Sequence, residues 1–179
     1  RIHEGDLQYL DLNGDYQTLL RPEGVLLLQD VKRRSDPLAK NGSAALWDIG
    51  DGVVCLEFTS KMNAIDPDVL AMMEQAIVTV SKDHKALVLY NEGSNYSVGA
   101  NLGLLLFVAN IASWDQIEEM VGGGQLTYMK LKQAPFPVVG APSGMALGGG
   151  CESLLHCNAV QAHAETYMGL VEIGVGLLP

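Results

Sequence analysis

The chain has 179 residues, 48% of them hydrophobic and 18% charged, with 20 glycines, which suffices for one sizeable core plus an appendage. Eleven Lys and Arg against 21 Asp and Glu leave a net charge of -10, a field that repels phosphate backbones and anionic lipid and argues against nucleic acid or a membrane surface as partner. Cys55, Cys151 and Cys157 make no CxxC pair and no even framework, which points to a reducing, cytoplasmic setting.

Residues 1 to 43 differ in pattern from the rest. Arg1 to Asp6 carries no basic region leading into an apolar core, so no targeting segment is expected. Leu7 to Leu12 and Asp15 to Leu20 read as two extended runs joined at Asn13-Gly14, a pair suited to a two-residue hairpin turn. Gly24 to Gln29 is a further apolar run, and Lys32 to Ser43 is charged, turn-rich and without periodicity, the signature of a linker ending near Ser43. The cations Arg1, Arg21, Lys32, Arg33, Arg34 and Lys40 lie in this part, and only Lys130 and Lys132 follow Lys85. An anionic ligand would therefore be met between residues 32 and 85.

From Ala44 the expected order is strand, strand, helix, strand, loop, helix, strand, loop, helix. Ala45 to Ile49 and Val53 to Phe58 flank the turn Gly50-Asp51-Gly52. Asp66 caps a helix that has Pro67 at its first position and an apolar face of Val69, Leu70, Met73, Ala76, Ile77 and Val80. Ala86 to Tyr90 and Pro137 to Ala141 are short apolar runs, as in strands buried on both faces. Leu102 to Ala112, the longest apolar stretch, is broken by Asn110 and is about half of the roughly 20 residues that span a bilayer. Ser113 with Gln116 makes a capping box for a helix reaching Leu131. Gly122-Gly123-Gly124 either kinks that helix or admits a neighbouring backbone. The alternation predicts an α/β fold.

Two loops follow buried strands and are rich in glycine: Ser94 to Asn101, and Ser143 to Glu152 with Gly148-Gly149-Gly150. Bare backbone there could deliver N–H groups to an anion or a developing oxyanion, or could merely permit tight turns and close packing. Glu152 stands in the first turn of the helix after the glycines, and Glu172 lies in an otherwise apolar stretch. A carboxylate in an apolar cleft can exchange protons near neutrality; alternatively Glu152 serves the helix dipole and Glu172 is a surface charge. His156 and His163 have no partners at metal-ligand spacing, so no metal site is expected. Cys151 has no cationic neighbour to activate it, and Met72, Met73, Met120 and Met129 read as core filling.

Pro137 to Glu152, with Ser97-Val98-Gly99-Ala100-Asn101-Leu102 before it and Tyr167 to Pro179 after it, resembles the enoyl-CoA hydratase (crotonase) family. The resemblance covers Ala44 to Pro179 and includes Lys61-Met62-Asn63-Ala64-Ile65, similar to the family's segment that contacts coenzyme A. Ala45 to Val53, with Asn101 in place of the usual aspartate, looks most like the hydratase part of bacterial bifunctional proteins that begin with a 3-hydroxyacyl-CoA dehydrogenase. Residues 1 to 43 would then be the tail and linker of that dehydrogenase. The implied fold is a crotonase-like ββα superhelix, truncated at its C-terminus and preceded by a small extended appendage.

The resemblance implies an oxyanion hole at the N–H groups of Ala100 and Gly149, catalytic glutamates at Glu152 and Glu172, and a coenzyme A side lined by Lys61, Met62, Val98, Asn101 and Leu102. It implies hydration of trans-2-enoyl-CoA in fatty-acid β-oxidation, with a Δ3,Δ2-isomerase as a neighbouring activity. No cofactor is expected in this chain: coenzyme A belongs to the substrate, and NAD would need a preceding dehydrogenase domain, since no G-x-G-x-x-G follows a strand. A homo-oligomer, or packing against the dehydrogenase, is the expected assembly. The alternative is a crotonase-fold acyl-CoA-binding or assembly module without turnover.

Overall fold

The computed structural model describes residues 1–179. Its N-terminal part is a three-stranded antiparallel sheet of β1 (Ile2–His3), β2 (Asp6–Leu10) and β3 (Tyr16–Thr18). The expected hairpin is present, but its turn is longer than two residues, because Leu10 pairs with Tyr16. The Asp11 carboxylate builds that turn by accepting the N–H groups of Asn13 and Asp15, each at 2.9 Å.

The stretch read as a linker is ordered, and the reason is packing rather than local pattern. Helix α1 (Leu28–Arg34) and strand β4 (Ala39–Lys40) fall within it. Leu28 is buried against Ala45, Trp47 and Cys55, and β4 pairs antiparallel with β5 (Ala44–Asp48). Arg21 and Arg33 pair with Asp30, and Arg34 pairs with Asp6. These cations are thus committed within the chain.

The Gly50 to Gly52 turn joins β5 to β6 (Val53–Phe58) in an antiparallel hairpin. From β6 the sheet continues in parallel through β7 (Ala86–Leu89) and β9 (Val138–Gly140) to β11 (Ala159–Val160). Helix α2 (Pro67–Asp83) makes the first crossover. Asp66 Oδ1 accepts the Val69 N–H at 2.9 Å, and Val69, Met72, Met73, Ala76 and Val80 are buried on the sheet. Leu46, Leu56, Leu87, Leu89, Leu131 and Leu154 complete one core, and each such side chain contributes about 1.5–3 kcal/mol relative to exposure.

Two helices follow the short strand β8 (Asn95–Ser97): α3 (Leu102–Asn110) and α4 (Trp114–Lys132). The first was not expected; Asn101 initiates it by accepting the Leu104 N–H at 3.3 Å. The capping box at the start of α4 does not form, for Ser113 makes no side-chain cap. Helix α4 runs unbroken through its three glycines, and a Cβ on Gly122 or Gly123 would meet nothing within 4 Å. Neither a break nor a close neighbour accounts for those two. Met129 is 42% exposed, so it does not fill the core.

A second, parallel sheet consists of β12 (Thr166–Gly169), β10 (Gly144–Leu147) and β8. Strand β10 leads through Gly148 into α5 (Gly149–Leu155), and β12 leads into a 3₁₀ turn at Glu172–Val175. Its parallel strands bring three loops to one end.

Candidate active site

Three segments meet at that end, and backbone hydrogen bonds fix their spacing. Ile65 bridges to Ala100: the Ile65 N–H donates to Gly99 O at 2.8 Å, and the Asn101 N–H donates to Ile65 O at 3.0 Å. The Lys61 to Ile65 segment is thereby tied to the loop after β8. Ser97, fully buried, accepts the Gly99 N–H at 3.1 Å, and Gly99 takes a left-handed φ of 88°. Ala100 therefore leaves the turn in a fixed direction.

Across from it stands the first residue of α5. An ideal Cβ on Gly149 would lie 3.6 Å from Ala100 N and 3.5 Å from Ile65 Cδ1. The nearest atom to that position is the Tyr128 hydroxyl oxygen, at 3.2 Å, so glycine leaves room for it. Neither the Ala100 N–H nor the Gly149 N–H donates to any other group of the chain. Two adjacent donors with no internal acceptor, one at a helix start, suit an oxygen that acquires negative charge.

The two glutamates follow different strands of the second sheet, Glu152 in the helix after β10 and Glu172 in the 3₁₀ turn after β12. The Gly148 N–H donates to Gly169 O at 2.9 Å, which continues the ladder between β10 and β12. Glu172 then lies over Gly148, with Oε1 2.5 Å from where a Cβ on that glycine would be. Its Oε2 is buried without a hydrogen-bond partner, an arrangement that is costly unless the oxygen has a use. Glu152 sits in the first turn of α5 and is half-buried. Burial, and then the Glu172 charge, push its carboxyl above the usual glutamate range, opposed by His156. Two carboxyls that feel each other in a partly dry cleft are matched to proton exchange.

The supporting residues were not legible as site residues. Tyr128 on α4 is 7% exposed, and its hydroxyl donates to Gly149 O at 2.9 Å. Its ring lies 5.5 Å from that of His156, whose Nδ1 is 2.7 Å from Glu152 O. Burial, and secondarily Glu152, raise the Tyr128 pKa, so the tyrosine remains a neutral donor.

Lys61 and Met62 are exposed, Val98 is half-buried, and Ala100, Asn101 and Leu102 are exposed; the Ile65–Ala100 bridge ties together the two segments that carry them. The structure brings Ala100, Gly149 and Glu172 close to one another around Gly148 and Gly149, with Glu152 in the first turn of α5. Cys151 is buried, and burial with the two glutamate charges raises its pKa, which leaves a thiol without activation. No three His, Cys, Asp or Glu side chains gather as a metal-binding group. No helix is long and apolar enough to cross a membrane.

Residues 48–179 match the family described as enoyl-CoA hydratase/isomerase. The chain is 41% identical over 175 residues to a Bacillus subtilis (strain 168) protein named "Probable 3-hydroxyacyl-CoA dehydrogenase", covering 98% of this chain and 22% of that one. It is 30% identical to the fatty acid oxidation complex subunit alpha of Idiomarina loihiensis, over 73% of this chain and 18% of that one. It spans less than a quarter of the length of these relatives. Among solved structures, an enoyl-CoA hydratase from Polaromonas sp. JS666 superposes with a TM-score of 0.72 at 24% identity, over 77% of this chain and 55% of that one. One from Shewanella pealeana gives 0.70 at 22%, over 77% and 53%. These likenesses give the crotonase-like α/β fold.

Proposed function

Because the chain belongs to the enoyl-CoA hydratase/isomerase family, we propose that it is the hydratase segment of a fatty-acid β-oxidation protein that also carries 3-hydroxyacyl-CoA dehydrogenase activity. The observation that supports this most is the pair of unengaged N–H groups at Ala100 and Gly149, facing a cleft that also holds Glu152 and Glu172.

In this reading the two N–H groups donate to the thioester carbonyl oxygen of a trans-2-enoyl-CoA. Water forms a bond from its oxygen to the β-carbon as one glutamate carboxylate takes its proton. The π electrons of the alkene move onto the carbonyl oxygen, giving an enolate that the oxyanion hole stabilises. A glutamic acid then protonates the α-carbon, the carbonyl re-forms, and the product is a 3-hydroxyacyl-CoA. A product of that class is what a 3-hydroxyacyl-CoA dehydrogenase consumes, which suits the name of the Bacillus subtilis relative. NAD would belong to that other activity.

Lys61, Met62, Val98, Asn101 and Leu102 would line the coenzyme A side. The three free cysteines suit a reducing cytoplasm. Phe107, Trp114 and Ile173 are exposed, and such apolar side chains would be covered by a further domain or by another copy. The test is hydration of crotonyl-CoA by the complete protein. Glu152→Gln and Glu172→Gln should each lower kcat by about 10²–10⁴-fold, and undiminished rates in both would overturn the reading in favour of a module without turnover.

A further inference from the structure

Helix α1 precedes the family-matched residues 48–179, yet one of its side chains reaches the support of the cleft. Lys32 Nζ donates to Glu57 Oε1 on β6 and to Glu92 Oε2, the latter at 2.7 Å. Glu57 is 3% exposed, and its other oxygen accepts from Trp47 Nε1 at 3.0 Å. The Lys32 ammonium also lies 5.8 Å from the centre of the Trp47 ring. Burial works to lower the Lys32 pKa, but its two carboxylate partners outweigh it and hold the amine above the ordinary lysine value. The ammonium is therefore a charged tie between the preceding segment and the core.

Glu92 leads from that tie toward the site. Its main-chain oxygen accepts from Asn63 Nδ2 at 3.1 Å, and the same amide donates to Asn95 O at 2.9 Å. Asn63 and Met62 are consecutive residues at φ 53° and 57°. Left-handed backbone costs roughly 1–2 kcal/mol at a residue such as Met62, less at an asparagine, so such a turn gains from external support. The Asn63 amide supplies it from beneath, and the Ser60 hydroxyl closes the turn by donating to Ala64 O at 2.5 Å. Beyond Ala64 comes Ile65, which is bridged to Ala100. The Glu92 loop thus joins α1 to the Lys61–Met62 turn, and through Asn95 to the strand that delivers Ala100.

We propose that Lys32 is a positioning residue for acyl-CoA: by pinning Glu92 against Glu57 it holds the Asn63 clamp, and with it the turn of Lys61, Met62 and Asn63, left-handed at its last two residues, that meets the coenzyme A moiety. The segment before the hydratase core then sets affinity for the carrier without touching the reacting atoms. This inference rests on the hydratase reading of the cleft.

The experiment uses the complete protein, with kcat and KM for crotonyl-CoA and for crotonyl-pantetheine, which lacks the nucleotide, and with the Kd of coenzyme A by calorimetry. Lys32→Met leaves Glu57 buried beside Trp47 alone and could unfold the protein; Glu92→Gln keeps the Lys32–Glu57 pair and is the decisive variant. Glu92→Gln should raise the KM for crotonyl-CoA and the Kd of coenzyme A about tenfold, with kcat within about twofold and the pantetheine KM unchanged, and Lys32→Arg should retain near-parent values. A folded Glu92→Gln protein with unchanged coenzyme A affinity, or with equal losses on both substrates, would overturn the positioning role alone. An unaltered protein that neither hydrates crotonyl-CoA nor binds coenzyme A would overturn this inference together with the hydratase reading.

Discussion

The carboxylate of Glu172 occupies the space that a side chain on Gly148 would take, with Oε1 2.5 Å from the ideal Cβ position. Gly148 also holds φ at 51°, so this glycine is required twice: for its backbone, and for the room it leaves to an acid. The triple glycine serves three different ends. Gly148 admits Glu172, Gly149 leaves room for the Tyr128 hydroxyl, 3.2 Å from where its Cβ would be, and Gly150 packs against Ser97, where a Cβ would fall 2.7 Å from the serine Cβ.

Gly148→Ala should displace Glu172 and lower hydration by about 10²-fold or more, since misplacement by about 1 Å costs that much. Stopped-time assays with crotonyl-CoA would measure it, and far-UV dichroism would verify the fold. Retention of the full rate would show that Glu172 is not held where the chemistry needs it.

Glu152 links activity to stability through pH. Its carboxyl is raised in the folded state, first by burial and then by Glu172, so in the window above the unfolded value of about 4.3 the folded chain binds the proton more tightly than the unfolded chain does. Stability from this group is fully present below that unfolded value and is lost as pH rises through the folded value. Glu152→Gln should therefore raise the melting temperature at neutral pH, with the gain vanishing toward pH ~4, while hydration is lost. In the unaltered protein the acid limb of kcat/KM should lie above the ordinary glutamate range.

Tyr128→Phe removes the hydroxyl that donates to Gly149 O at 2.9 Å. A loss of about 1 kcal/mol in unfolding free energy is expected, the usual net value of such a bond. A fall in kcat that exceeds any rise in KM should accompany it, because the bond steadies the residue that supplies one oxyanion donor. Denaturant titration and steady-state kinetics would separate the two effects.

Gly123→Ala probes the exposed side of α4. A Cβ there meets nothing within 4 Å, so the substitution should stabilise this 179-residue chain by about 0.5–1 kcal/mol through helix propensity. Chemical denaturation measures it. Destabilisation would mean that another part of the chain covers that face in solution.

Local pattern disclosed elements with strong internal signals. Asp66-Pro67 followed by a helical apolar stripe gave α2, and the Gly50 to Gly52 turn between β-prone runs gave the β5–β6 hairpin. Elements held by distant partners were not legible. Helix α1 owes its position to Leu28 beneath Trp47 and to Lys32 between Glu57 and Glu92, all of which lie far along the chain. Its charged residues therefore looked like solvated linker. Helix α3 was hidden by uniform apolarity, because Leu102 to Ile111 shows no polar face to give a period. At the site, the family resemblance singled out Ala100, Gly149, Glu152 and Glu172, whereas the contacts of Tyr128 and Asn63 are recognisable only once the carbonyls they address are in place.

Whether Ala100 and Gly149 form a working oxyanion hole is read out by a pair of calorimetric titrations of the complete protein. One ligand is an unreactive acyl-CoA analogue that keeps the carbonyl, and the other is the matching alkyl-CoA thioether that lacks it. Tighter binding of the carbonyl compound by about tenfold or more, corresponding to about 1.4 kcal/mol, is the predicted result. Equal affinities would contradict such an oxyanion hole.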